Sequence, residues 1–350
     1  MRDDFRSPPR TRRRVLITAA NVFVAVSLAF RANGAAETGA SGLVFTADEQ
    51  AGSISAIDLR TGIIRTVSLP IMPHNVQATP DGLTVLLVGM GMAAGHATDG
   101  TGRLIVLDSR DVARPPITNI AVGPHPAHVV TDLSGARAFI TDSARNAVLV
   151  VLVASAKVER EIAVGTYPHG LRLSPDGREL FVANMRSNDV SVVDVTSLTE
   201  IKRIPVGKAP VQVAFTPDGA QVFVSLNGEN KIAIIDRVHR KIVANLSVGR
   251  NPVQLQATPD GRLIFVANQG TAAAPDDTVS VIDVAQRVMV ARVRTGRGAH
   301  GVTISADGRL IFVSNIVEST VSVIDVQTLK TITNHKVGAG PNGITFLIAP

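Results

Sequence analysis

The chain has only eight histidines, and five of them cluster at one recurring place in the sequence. His74 follows Pro73, His169 follows Pro168 and His300 follows Ala299. In another copy Ala127 takes this place, with His125 and His128 on either side, and in a further copy it is Asn342. Imidazoles brought together by folding can hold a divalent transition metal, ligate or flank a tetrapyrrole iron, or accept a proton as a general base. The spacing predicts His74, His169 and His300 as metal ligands. His125, His128, Arg172 and Asn342 join them in a wider set of ligand-binding residues. The competing reading is structural, with each histidine bonding only a neighbouring loop. Arg145, Arg172 and Arg186 form a second candidate, because guanidinium groups suit carboxylate or phosphate; solvated loop arginines are its plain alternative.

Composition narrows the chemistry. Cysteine is absent, which excludes disulfides, thiolate metal sites, cysteine nucleophiles and covalently attached c-type haem. One tyrosine and no tryptophan leave little material for stacking on bases. The net charge of +6 is misleading, because seven arginines and two aspartates fall in the first 31 residues and the remainder is balanced at 28 against 27. These features argue against nucleic acid as a partner. No nucleophile elbow, zinc-protease helix, phosphate loop or calcium loop is present. A lactonase-like hydrolase would need a base such as His169 beside Arg172.

What positions these residues is a repeat. Pro168–Gly207 recurs at the same length as Pro210–Gly249, Ala299–Gly338 and Pro126–Gly165, while Pro73–Gly123 and Pro252–Gly296 carry insertions at Gly89–Gly102 and Gly270–Asp277. Each copy alternates apolar and polar residues over four short segments separated by turn residues, which predicts four strands and no helix. Glycines such as Gly177 and Gly219 mark the first turn. Asp58, Asp108, Asp194, Asp236, Asp283 and Asp325 close third strands and are read as caps of the following turn. Leu43–Asp58 matches only the second and third strands of a copy, and Pro341–Ala349 only the first. A seventh copy is therefore split between the two ends. A ring closed in this way removes exposed sheet edges, so the predicted fold is all-β, a seven-bladed β-propeller with one blade closed by N- and C-terminal strands. Both insertions and the histidine-bearing openers fall on one face of it, at the mouth of the central channel, with His96 in the longer insertion.

Phe181-Val182-Ala183-Asn184 with Val190-Ser191-Val192-Val193-Asp194, and the matching segments at Phe265–Asp283 and Phe312–Asp325, resemble the YVTN-type β-propeller repeat family, whose members are often exported bacterial proteins. The resemblance covers everything after the leader. It implies the fold and leaves the function open, since members of this shape include DNA-binding periplasmic proteins, lactonases and tetrapyrrole-binding propellers.

Residues 1–36 read as an export signal: a basic patch at Arg10–Arg14, an apolar stretch at Val15–Phe30 and small residues at Ala32–Ala36. The apolar stretch is too short and too polar to span a bilayer. Thr11-Arg12-Arg13-Arg14-Val15-Leu16 resembles the twin-arginine signal, and an ordinary basic leader for unfolded export is the alternative. The expectation is a periplasmic or secreted monomer whose propeller, residues 37–350, acts as a scaffold binding a protein or small-molecule ligand at the channel mouth. The alternative is a carrier of a divalent transition metal or tetrapyrrole, or a lactonase-like enzyme, using the histidines.

Overall fold

The structure is a computed structural model that describes residues 41–93 and 98–348. The leader and His96 lie outside the described residues. Every regular element described is a strand, and the strands form seven four-stranded antiparallel sheets. Among the described residues no helix is long and apolar enough to cross a membrane. Numbering the split sheet as blade 1, its inner strand is Pro341–Leu347, paired with Leu43–Asp48, which pairs in turn with Ser53–Asp58 and Ile64–Ser68. The register runs from Leu43 opposite Leu347 to Asp48 opposite Pro341. The seven-bladed propeller expected from the repeat is thus the observed architecture, closed by its two end segments.

Local chemistry explains why each copy folds alike. Asp194 Oδ1 accepts the Thr196 and Ser197 N–H groups at 3.1 and 2.7 Å, so the aspartates closing third strands cap turns, as their position predicted. In the first turn Gly219 sits at φ 70°, where a side chain would be strained. The two insertions lengthen hairpins of blades 2 and 6, drawing out the strands Thr84–Met92, Thr98–Asp108, Leu263–Gly270 and Pro275–Asp283.

The core lies between blades rather than inside one sheet. Phe45, Phe139, Phe181, Phe223, Phe265 and Phe312, at matching places in second strands, are fully buried. Seven apolar clusters form the interlayers; one joins Phe181 and Val192 of blade 4 to Val213 and Val224 of blade 5. Truncating one such phenylalanine to alanine costs roughly 3–5 kcal/mol. The fourth strands form the rim and alternate exposed and half-buried residues, as in Lys241–Ser247.

The inner strands carry the feature that matters for the site. In all seven blades their pairing is irregular at or just after the opener, for example between Pro168 and Leu171 in blade 4 and between Pro73 and Asn75 in blade 2. Such a bulge frees one or two successive residues from the strict in-and-out alternation and re-aims their side chains. His169 and Gly170 of blade 4 occupy this bulge, as do Ala127 and His128 of blade 3.

Candidate functional site

Three of the histidines meet at the channel mouth. His74 comes from the inner strand of blade 2 (Ile71–Ala78), His128 from blade 3 (Pro126–Thr131) and His169 from blade 4 (Pro168–Leu173). One ring nitrogen from each lies within 4.8 Å of the others. His74 Nε2 is 3.3 Å from His169 Nε2, although blade 3 stands between their blades. Ala127, at the equivalent position of blade 3, lines the cavity beside them. His128 is fully buried beneath them, its ring centroid 4.8 Å from that of His169.

Each ring is held by its Nδ1. His74 Nδ1 donates to Glu49 Oε1 at 3.1 Å, and His169 Nδ1 donates to the Val211 carbonyl at 3.3 Å. The Gln212 carboxamide donates through Nε2 to His128 Nδ1 at 3.3 Å while its Oε1 accepts the Val213 N–H. Gly170 makes this possible, since a Cβ there would lie 2.4 Å from both Gln212 Oε1 and the Val211 carbonyl. His128 Nε2 is buried without a hydrogen-bond partner among the described residues. The Nε2 atoms are what the three rings have left to offer.

The site is electrostatically uneven. Burial alone would push His74 down, but the Glu49 carboxylate overrides it and holds the imidazole above its ordinary value. Glu49 itself would rise on burial, yet the His74 charge and hydrogen bonds from His74 and Asn342 take it down to about 2. Burial, followed by the charge on His74, lowers His169 to about 3 and His300 to about 4. Burial drives His128 well below the usual range, with His169, His74 and Arg172 adding to it. With both Nδ1 atoms donating, the facing Nε2 atoms of His74 and His169, 3.3 Å apart, need one proton between them to form a hydrogen bond.

The remaining expected residues take different places. His300 is buried, and its Nδ1 donates to the Asn342 carbonyl at 3.0 Å; it stands outside the close group, where His128 stands instead. Asn342 Nδ2 donates to Glu49 Oε2 at 2.6 Å. His125 is exposed, with Nδ1 2.7 Å from Ser143 Oγ. It joins Glu49, His74, Tyr167 and His169 around a cavity of about 80 Å³ above the three imidazoles. Arg172 is not there. It lines a wider cavity of about 410 Å³ at the opposite end of the channel, with Gln77, Gln256, Thr303 and the turn residues Pro80 and Pro175. A rise of about 3.3 Å per residue carries it roughly 10 Å along the strand from His169. The arginine group expected from the sequence also disperses: Arg145 pairs with Glu161 at 3.0 Å, and Arg186 lies over the Tyr167 ring.

Sequence reasoning missed Glu49 and Gln212. A signal for Glu49 exists, since the residue four places after the repeat position of Phe45 and Phe181 is Glu49, Met90, Ser143, Met185, Asn227, Gln269 or Ile316 around the ring, and only one of these bears charge. Gln212 carries no such mark, because Gln254 occupies the same place in the next blade.

A small cation suits this all-imidazole donor set. The mouth cavity is far below the roughly 300 Å³ at which organic-ligand pockets begin, and the wider cavity has no histidine.

Comparison with known proteins supports the fold. A family model described as the cytochrome D1 heme domain matches residues 222–339, and one described as a YNCE-like β-propeller matches residues 119–234. No curated protein matches the chain. Among solved structures, a functionally unknown protein from Desulfotomaculum acetoxidans superposes with a TM-score of 0.75 at 16% identity, covering 89% of this chain and 100% of that one. The periplasmic gluconolactonase of Pseudomonas aeruginosa gives 0.70 at 19% identity, covering 88% and 99%. Hydrazine synthase of Kuenenia stuttgartiensis gives 0.67 at 19%, covering 81% and 97%. At such identities the likeness is one of fold alone.

Proposed function

We propose that this protein is an exported, monomeric propeller that works as a binding module, with its ligand or partner seated at the histidine-bearing mouth. The observation that carries the reading is the convergence of His74, His128 and His169 with His128 Nε2 left unpaired in a buried position. A buried donor or acceptor without a partner costs about 1–3 kcal/mol, so a chain that places one facing two other imidazoles gains by taking a ligand there. His125, His300 and Asn342 border the site and steady it. Export and a mature chain beginning near residue 37 rest on the basic, apolar and small-residue order of residues 1–36, and one propeller of similar fold is described as periplasmic.

The lactonase-like reading loses the pairing it required. His169 and Arg172 lie at opposite ends of the channel, and a histidine lowered to about 3 is a poor proton acceptor near neutrality.

The test is a thermal-shift screen of the purified protein against metal salts, small organic anions and lactones. A ligand at a hundred times its Kd adds about 2.7 kcal/mol to stability. That gain is expected to vanish in His169→Leu and persist in Arg172→Leu; the reverse pattern would move the ligand to the other end and overturn the reading.

A further inference from the structure

Resting on that reading, we propose that the ligand of the mouth is a divalent first-row transition-metal ion bound through the Nε2 atoms of His74, His128 and His169, with a further position open to the cavity above.

Four features of the geometry support the assignment. The spacing is right for two of the three donors: nitrogens bound to a tetrahedral zinc at about 2.0–2.1 Å lie roughly 3.3 Å apart, and His74 Nε2 and His169 Nε2 are 3.3 Å apart already. The third ring completes the set by a modest approach from below, its Nε2 having no competing partner. His74 Nδ1 and His169 Nδ1 donate to a carboxylate and a backbone carbonyl, which leaves their Nε2 lone pairs for an ion, and the Gln212 carboxamide holds the His128 ring at its Nδ1. Outer partners of this kind fix the ring orientation and tautomer of metal-bound histidines, and their loss typically costs 10- to 100-fold in affinity. Finally, an all-nitrogen donor set suits zinc, copper, nickel or cobalt, whereas calcium and magnesium require oxygen.

Charge and atoms balance simply. The proton shared between His74 and His169 leaves for solvent, and the ion takes its place between the same two lone pairs; the Nε2 proton that His128 carries while Gln212 donates to its Nδ1 moves to Nδ1, and the Gln212 carboxamide turns to accept it through Oε1, giving up the Val213 N–H. The Glu49 carboxylate stays behind His74 and offsets part of the added charge. A cavity of about 80 Å³ has room for two or three waters at about 30 Å³ each, so the open position takes water or a similarly small ligand. His125 and Tyr167 border that space.

The test is titration of the metal-stripped, purified chain with Zn²⁺ and Co²⁺, followed by calorimetry and by the visible absorption of the cobalt form. One ion per chain and the intense visible bands of low-coordinate cobalt are expected. His74→Leu, His128→Leu and His169→Leu should each lose at least 100-fold in affinity, Glu49→Gln should lose 10- to 100-fold, and His335→Leu, on the rim, should bind as wild type. Circular dichroism melts confirm that each variant is folded. Should a leucine variant fail to fold, His128→Gln, which keeps a polar side chain there, replaces it. Equal losses in His300→Leu and His128→Leu, or binding indifferent to His128, would overturn the assignment of the three ligands. If the chain takes up no metal while another ligand still requires His169, the metal proposal falls and the mouth reading stands; if neither binds, both fall.

Discussion

The two ends of the channel are built from the same seven strands and differ in what they can do. At one end, residues freed by the bulges face one another closely enough for imidazole nitrogens of blades 2 and 4 to meet at 3.3 Å. At the other, Gln77, Arg172, Gln256, Thr303 and Thr345 line a cavity five times larger, and regular alternation sends one side chain per blade towards the axis. Gln77 and Gln256 donate to the carbonyls of Ala78 and Ala257, and Arg172 donates to that of Leu171. Thr345 Oγ1 instead accepts the Ala78 N–H of the neighbouring blade at 3.3 Å. An irregularity of one residue in the inner pairing thus separates a cluster of converging donors from a wider polar opening.

Three changes would break or sharpen this contrast. The largest effect is expected from deleting residues 341–350, which removes Asn342 from one end and Thr345 from the other and strips Leu43–Asp48 of its partner strand. Cooperative melting should be lost; a truncated chain that remains a soluble monomer with a sharp transition would show that ring closure does not hold the ends together. Next, Gly170→Ala should cost about 1–3 kcal/mol through overpacking, because the Val211 carbonyl cannot yield as a side chain would. It should weaken ligand binding at the histidine end by displacing Gln212 from His128, while a denaturant melt reports the stability loss. Wild-type binding in this variant would dismiss the role given to Gln212.

The smallest effect separates stability from either end. Asp48 stands where Asn184 and Asn315 stand in blades 4 and 7, and burial pushes it up to about 6 against hydrogen bonds from Ser55, Thr46 and Ser53. With its folded value above its ordinary one, the fold carries a buried charge above about pH 6. The cost is relieved as pH falls through 6, and it vanishes below about 4, where both states are protonated. Asp48→Asn should therefore stabilise the protein by about 2 kcal/mol at pH 7, with the gain gone at pH 4 and binding unchanged. A gain that persisted at pH 4 would point to packing instead of charge.

The sequence revealed the architecture nearly whole, because a repeat states the same local instruction many times and Leu43–Asp58 with Pro341–Ala349 supplies the missing seventh. Strand order, the split blade and the aspartate caps follow from spacing alone. The site was legible only in part. His74 and His169 share a repeat position, so register brings them to one mouth, but register does not show that they touch across blade 3. His128 and not His300 completes the close group of imidazoles, because a bulge, invisible to strict alternation, re-aims two neighbouring residues of blade 3. Arg172 was misplaced for the opposite reason: a residue near His169 in sequence is far from it along an extended strand. Glu49 arrives from a different segment of the chain, which spacing within one copy cannot report.

The split blade also sets a clock. Leu43–Asp48 emerges early in synthesis, and its partner Pro341–Leu347 only about 300 residues later, on the order of 15 to 60 s at ordinary ribosomal speeds. Throughout that interval the first hairpins wait with an unsatisfied margin, exposed to misassembly and to chaperones. Pro341–Leu347 acts as a latch, so a ribosome that stops before it releases a product whose ring is open at that blade.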